Sequence, residues 1–226
     1  MPATRHALCL SCGSTLLLLA SALPAQSPPS QAPNSQAPAA NWPRFNGRDL
    51  SGWKIVEQHF FNRHGQVRWN DGAAVLAAGQ PGTAIAWTGD MPRRDYEVTL
   101  EARRLAGDDF FCGLTFPVQD NYCTLILGGW GGGTTGLSNI NDEAAVENET
   151  TGYHEFRSGQ WYPIRLRVAA DRIQAWIDTQ QIVDVDTTGK RFSIWWEQEP
   201  CRPFGIASWN TSASIRHVRV TRVTPR

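Results

Sequence analysis

Two pairs of carboxylates spaced two residues apart stand in the second half of this sequence. The first is Glu147-Asn148-Glu149, with His154 and Glu155 shortly after. In an extended segment Glu147 and Glu149 point to the same side, since successive side chains alternate. Two carboxylates on one side suit general acid/base work, one giving and one taking a proton. The same residues also read as a solvated acidic loop. The second pair, Glu197 and Glu199, follows Trp195-Trp196 on a strand-like run. Aromatic rings beside carboxylates suit a sugar, whose C–H face stacks while its hydroxyls hydrogen-bond; the alternative is a sheet edge with gatekeeping charges. Trp130 stands alone in Gly128-Gly129-Trp130-Gly131-Gly132-Gly133. Its glycine neighbours offer little to bury it and allow close backbone approach to a ligand. On these grounds Glu147 and Glu149 are the candidate catalytic residues, and Trp130, Asn148, Trp195 and Glu197 the candidate substrate-binding residues.

Other chemistries find less support. Neither His59 with His64 nor His217 has the i, i+4 partner and glutamate of a zinc hydrolase helix. Asn139, Asn141, Asp142 and Glu143 could offer oxygen to calcium, but their spacing is not that of an EF-hand, so no metal or other cofactor is expected. The glycine run lacks the Gly-Lys-Ser/Thr ending of a phosphate loop, and there is no nucleophilic serine elbow. Basic and acidic residues balance at 21 each, which argues against a nucleic-acid partner.

The elements that must position these residues are strands. Short apolar or alternating runs at 96–103, 110–116, 122–127, 162–168 and 173–177 are separated by Gly, Pro, Asn and Asp clusters, the spacing of a sandwich or jelly roll. In 162–168, Ile164, Leu166 and Val168 alternate with Arg165 and Arg167, giving one core face and one wet face. Residues 173–186 read as a hairpin turning at Asp178-Thr179-Gln180-Gln181, and residues 144–148 as one helical turn at most. The arginine-rich 216–226 reads as a strand with a solvated face. Ten tryptophans are more than a ligand site needs, so some of them are core.

Arg5 and His6 precede an apolar run ending in Ala20-Ser21-Ala22, the layout of a secretory signal at 1–25. That run is shorter than the roughly 20 residues of a membrane span. Residues 26–41, rich in Pro, Ala, Ser and Gln, read as a disordered tether, and 42–226 as one domain that is secreted or periplasmic. Behind the signal remain Cys112, Cys123 and Cys201, enough for one internal disulfide at most. A turn near 118–121 would put Cys112 and Cys123 out of register for it.

Several motifs resemble one family. Phe45-Asn46-Gly47-Arg48-Asp49-Leu50-Ser51-Gly52-Trp53-Lys54 is the most specific, joined by Trp69-Asn70-Asp71-Gly72, Tyr96-Glu97-Val98-Thr99-Leu100-Glu101, the stretch 161–185 and Ile215-Arg216-His217-Val218-Arg219-Val220. Together they resemble the secreted 3-keto-disaccharide hydrolase family, often labelled glycoside hydrolase family 16-like. The resemblance implies an all-β, concanavalin A-like jelly-roll sandwich of two antiparallel sheets. It also implies a carbohydrate or glycoside ligand and a hydrolase or lyase acting by proton abstraction next to a 3-ketone. Asn46-Gly47 and Ser51-Gly52 then read as turns and Trp53 as a core anchor. Where family members carry Glu-x-Gln, this sequence has Cys123-Thr124-Leu125, so that strand brings no carboxylate. A non-catalytic carbohydrate-binding module, or a surface structural domain, is the alternative on the same fold.

Overall fold

Tyr162–Val168 shows how the sequence makes its sheets. In the computed structural model, which describes residues 41–224, Ile164, Leu166 and Val168 are buried while Arg165 and Arg167 lie on the opposite, part-exposed face. An alternating strand can be wet on one side only, so it calls for a second layer over its apolar side.

Fourteen strands, numbered in chain order, build the two layers. One sheet runs in the order β1 (Trp53–Ile55), β4 (Gly82–Trp87), β13 (Gly205–Trp209), β6 (Cys112–Val118), β7 (Asn121–Gly129), β8 (Thr134–Ser138), β9 (Gly152–Tyr153). The other runs β12 (Gln180–Asp186), β11 (Arg172–Ile177), β10 (Tyr162–Val168), β5 (Tyr96–Ala106), β14 (Ser212–Arg222), β3 (Ala73–Leu76), β2 (Val67–Asn70). Neighbouring strands pair antiparallel, so the fold is the expected two-sheet jelly roll. Among the described residues the only helical pieces are two 3-10 turns, His59–Phe61 and Trp196–Cys201.

The core lies between the sheets. Leu114, Phe116, Leu125, Leu127 and Leu137 face Val98, Leu100, Ile164, Leu166 and Ile215 in one continuous cluster. Each such side chain contributes about 1.5–3 kcal/mol on burial. Trp53 closes one end of it: its ring meets those of Phe45 at 5.1 Å and Trp87 at 5.5 Å. Its Nε1 donates to the Arg44 carbonyl at 3.1 Å. The turn before it is held by Asn46, whose Oδ1 accepts from the backbone N–H groups of Arg48 and Asp49. Gly52 has φ +84°, and a Cβ there would sit 2.5 Å from the Trp87 ring. The sequence reading of this motif as turns around a core anchor therefore holds.

Both predicted hairpins form. Val118 pairs with Asn121 across a two-residue turn, and Phe116, not Cys112, lies opposite Cys123. Cys112, Cys123 and Cys201 are free and buried. Ile177 pairs with Gln180, which narrows the second turn to Asp178-Thr179. Residues 144–148 make the single turn expected, with the Glu147 N–H donating to the Ala144 carbonyl at 2.9 Å.

The two sheets differ on their outer faces, and that difference positions the site. The sheet holding β5, β10 and β14 is wet and ionic: Arg216 binds Glu101 at 2.6 Å, and the guanidinium groups of Arg103 and Arg216 both lie over the Trp161 ring, at 4.4 and 4.2 Å. Strands β6 and β7 are instead buried on both faces almost throughout. The 3-10 turns cover the outer face of the neighbouring strands β4 and β13, packing Phe61 and Cys201 against Ala84, Ala86 and Ala207. Of the signal and tether expected over 1–41, residues 1–40 lie outside the described residues.

Candidate functional site

On β7, Cys123, Leu125 and Leu127 point into the core, which turns Thr124 and Ile126 outward. Thr124 pairs in register with Thr115 on β6 and Ser138 on β8, and its hydroxyl lies 3.1 Å from that of Thr115. These residues stand where the covering turns leave a gap. A cavity of about 250 Å³ opens there, with Thr124, Ile126 and Ser138 on its floor and Phe110, Trp130, Trp195 and Trp209 as aromatic walls. Asp109, Glu197 and Gln198 complete the lining. The space is below the roughly 300–1,000 Å³ of drug-sized pockets, which suits one sugar ring with the rest of a ligand outside.

The walls are fixed to different degrees. Phe110 and Trp209 stack at 6.0 Å and 26°, and the Trp209 backbone N–H donates to the Phe110 carbonyl at 3.0 Å. Trp130 and Trp195 are both 47 % exposed. Trp196 turns away from the cavity and packs on His59 at 5.3 Å and Phe60 at 5.0 Å.

Each carboxylate reaches the cavity by its own route. Asp109 precedes β6, and its Oδ1 accepts from the Phe110 N–H at 2.7 Å. Burial pushes its carboxyl above the ordinary value, against the backbone N–H groups of Phe110 and Trp130 that favour the charged form. Glu197 lies in the Trp196–Cys201 turn, and its Oε2 is buried without a protein partner, as is Oε1 of Gln198 beside it. A buried carboxylate oxygen left unbonded costs free energy until something donates to it. A sugar hydroxyl in the cavity can do so.

The sequence candidates separate into two groups. Trp130, Trp195 and Glu197 come together around the cavity. Glu147, Asn148 and Glu149 stand outside its lining, and the extended backbone assumed for them gives way to turns. Glu147 is exposed, and Glu149 binds Lys190 Nζ at 2.7 Å. Asn148 is buried and its side chain is fully engaged: Nδ2 donates to the carbonyls of Leu137, Glu143 and Ala144, and Oδ1 accepts from the N–H and hydroxyl of Thr150. It holds the 143–150 segment against β8 and keeps no bonding capacity for a ligand. Glu197 and Glu199 do not share a side as a strand would place them, because a 3-10 turn advances a third of a turn per residue. Glu199 pairs with Arg202 instead.

The calcium-type residues are engaged elsewhere. Asn141 Oδ1 accepts from the Arg191 N–H at 2.9 Å, and Asp142 pairs with the Arg191 guanidinium. Among the described residues no three His, Cys, Asp or Glu side chains gather in a metal-holding group. Asp109 is among the site residues that sequence reasoning missed, with Phe110, Thr124, Ser138, Gln198 and Trp209. Asp109 sits in an Asp-Asp doublet that reads as a loop, and only the fold brings it beside Trp130.

Known proteins can now be set beside this geometry. No curated protein matches the sequence. Among solved structures, the chain is similar to the carbohydrate-binding module CBM66 from Bacillus subtilis, at 12% identity, 76% of this chain, 96% of that one and a TM-score of 0.50. It is also similar to domain 4 of AbnA, an extracellular arabinanase from Geobacillus stearothermophilus solved with arabinotriose. The values there are 15% identity, 77% and 84% coverage and a TM-score of 0.51. A third is SCLam, a non-specific endo-beta-1,3(4)-glucanase, at 12% identity, 77% and 85% coverage and a TM-score of 0.50. At such identities the likeness is one of fold. The model of the 3-keto-alpha-glucoside-1,2-lyase-like domain matches residues 42–221, and the chain belongs to that family.

Proposed function

We propose that this is an exported carbohydrate-active domain that takes a 3-keto glycoside in the aromatic-walled cavity and cleaves it by elimination. The observation that carries the reading is the Glu197 carboxylate, buried on one oxygen without a partner in a hollow lined by Trp130, Trp195 and Trp209. The family match supports the substrate class. A ketone at carbon 3 acidifies the hydrogen on carbon 2. The Glu197 carboxylate takes that hydrogen as a proton, and the electron pair left behind forms the C1–C2 double bond. The C1–O bond breaks, and the departing oxygen takes a proton from Asp109. Burial favours the neutral form of Asp109, as a proton donor requires. The floor hydroxyl of Thr124 offers a hydrogen bond to the sugar, while Ser138 gives its own hydrogen to Asn139 Oδ1 at 2.8 Å.

A binding module without catalysis is the second reading, favoured by the exposure of Trp130 and Trp195, which a sugar face can cover directly. Incubating the purified chain with a 3-keto glucoside and with the ordinary glucoside, and following both release and binding, separates the two. The lyase reading expects release from the keto sugar alone. Binding without release from either sugar leaves the module.

A further inference from the structure

Along β5 the inward positions run Tyr96, Val98, Leu100, Ala102 and then Arg104, an arginine where the pattern calls for an apolar side chain. Arg104 is only 6 % exposed. Its guanidinium lies 5.3 Å from the Phe111 ring and 5.9 Å from that of Phe156, and among the described residues no carboxylate forms a salt bridge with it. Nε is buried and unpartnered. Burying a cation under such terms is costly.

What Arg104 holds is the frame of the cavity. Nη2 donates to the Gly132 carbonyl at 2.7 Å, the Gly128 carbonyl at 3.2 Å and the Asp109 carbonyl at 3.3 Å. The first two belong to the loop that carries Trp130, and the third to the loop that carries Asp109. The glycines serve this approach: Gly128 has φ +81°, and a Cβ there would lie 2.4 Å from Nη2. Gly132 has φ +100°, with Nη1 at 3.2 Å from the corresponding point. The glycine run thus brings the backbone close to a buried guanidinium as well as leaving Trp130 exposed.

We propose that Arg104 is the positioning residue of the site, setting Trp130 and Asp109 relative to each other from behind the cavity wall without touching the ligand. The proposal rests on the cavity being the sugar site. Displacing reacting groups by about 1 Å from a distance can cost about 10²-fold in rate, so the effect should be large. The charged groups facing Asp109 are Asp108 beside it, Arg104 from β5 and Glu197 across the cavity; the first raises its pKa and the second lowers it. Removing Arg104 therefore moves the Asp109 titration upward, which loosened packing alone would not do.

The test compares Arg104→Met and Arg104→Lys with the parent chain. Near-ultraviolet dichroism and melting establish folding, calorimetry gives sugar affinity, and kcat/KM for a 3-keto glucoside is followed across pH. Arg104→Met is expected to lose about 10²-fold in kcat/KM, with KM raised and the alkaline limb displaced upward. Arg104→Lys, which restores a donor and the charge, should recover part of the loss and return the limb. The proposal is overturned if folded Arg104→Met keeps the parent's affinity, rate and pH limb. It is equally overturned if activity falls only in step with melting temperature, without limb movement or rescue. Should the parent bind sugar without turnover, affinity and its rescue by lysine decide in the same sense. If the parent binds no sugar at all, the cavity reading fails and this proposal with it.

Discussion

Asn148→Ala separates a residue that holds the scaffold from one that meets a ligand. The side chain makes five contacts of 2.6–3.0 Å inside the protein, three from Nδ2 and two to Oδ1. Its two N–H hydrogens and two lone pairs amount to about four full hydrogen bonds, worth roughly 0.5–1.5 kcal/mol each. Alanine leaves the Thr150 N–H and the Leu137 carbonyl buried without these partners. Part of that loss is recovered where water reaches the turn, so a net destabilisation of about 3 kcal/mol is expected. Urea unfolding of parent and variant, read as a midpoint shift at constant slope, measures it. Sugar affinity of the folded fraction should stay near the parent value. A loss below about 1 kcal/mol together with abolished sugar binding would refute the reasoning and return Asn148 to the ligand.

Three further outcomes follow from the fold. Trp53→Ala removes a ring packed against Phe45, Trp87 and Phe204 and should cost about 3–5 kcal/mol; a folded variant with parental melting would contradict this. Burial pushes the thiols of Cys112, Cys123 and Cys201 up to about 12, so a thiol reagent should find none of the three in the native protein. In denaturant, exported protein should yield three thiols, whereas retention of the leader with Cys9 and Cys12 would give five. Burial opposes ionisation of Glu101, but hydrogen bonds from His217 and Arg216 win and hold its carboxyl below the ordinary value. A depressed carboxylate contributes stability above its unfolded pKa and loses it as pH falls through the folded one. Parent stability should therefore fall more steeply on acidification below about pH 4.5 than that of Glu101→Gln, and equal slopes in urea titrations would sink the assignment.

The fold was legible where one face is wet. β10 begins and ends where its alternation begins and ends, since Pro163, Arg165 and Arg167 mark its outward positions. The run expected over 110–116 is displaced to Cys112–Val118, because both faces of β6 are covered and an unbroken apolar run marks no boundary. Trp195-Trp196 reads as strand from its aromatics, yet Pro200 closes a 3-10 turn there and the two rings part. Trp130 announced itself by its glycines. Asp109 and Arg104 did not, since neither spacing nor composition shows that two distant loops meet. Carrying the β5 alternation two residues further would have exposed Arg104 as a cation at a core position.

The most direct test of the account is Glu197→Gln, which keeps shape and most hydrogen bonding but cannot accept the carbon 2 proton. In a folded variant, turnover of a 3-keto glucoside should fall by about 10² to 10⁴, with sugar affinity within a few-fold of the parent and with Glu147→Gln and Glu149→Gln still active. Full turnover by Glu197→Gln, or its loss in Glu147→Gln or Glu149→Gln instead, would contradict the placement of the chemistry in this cavity.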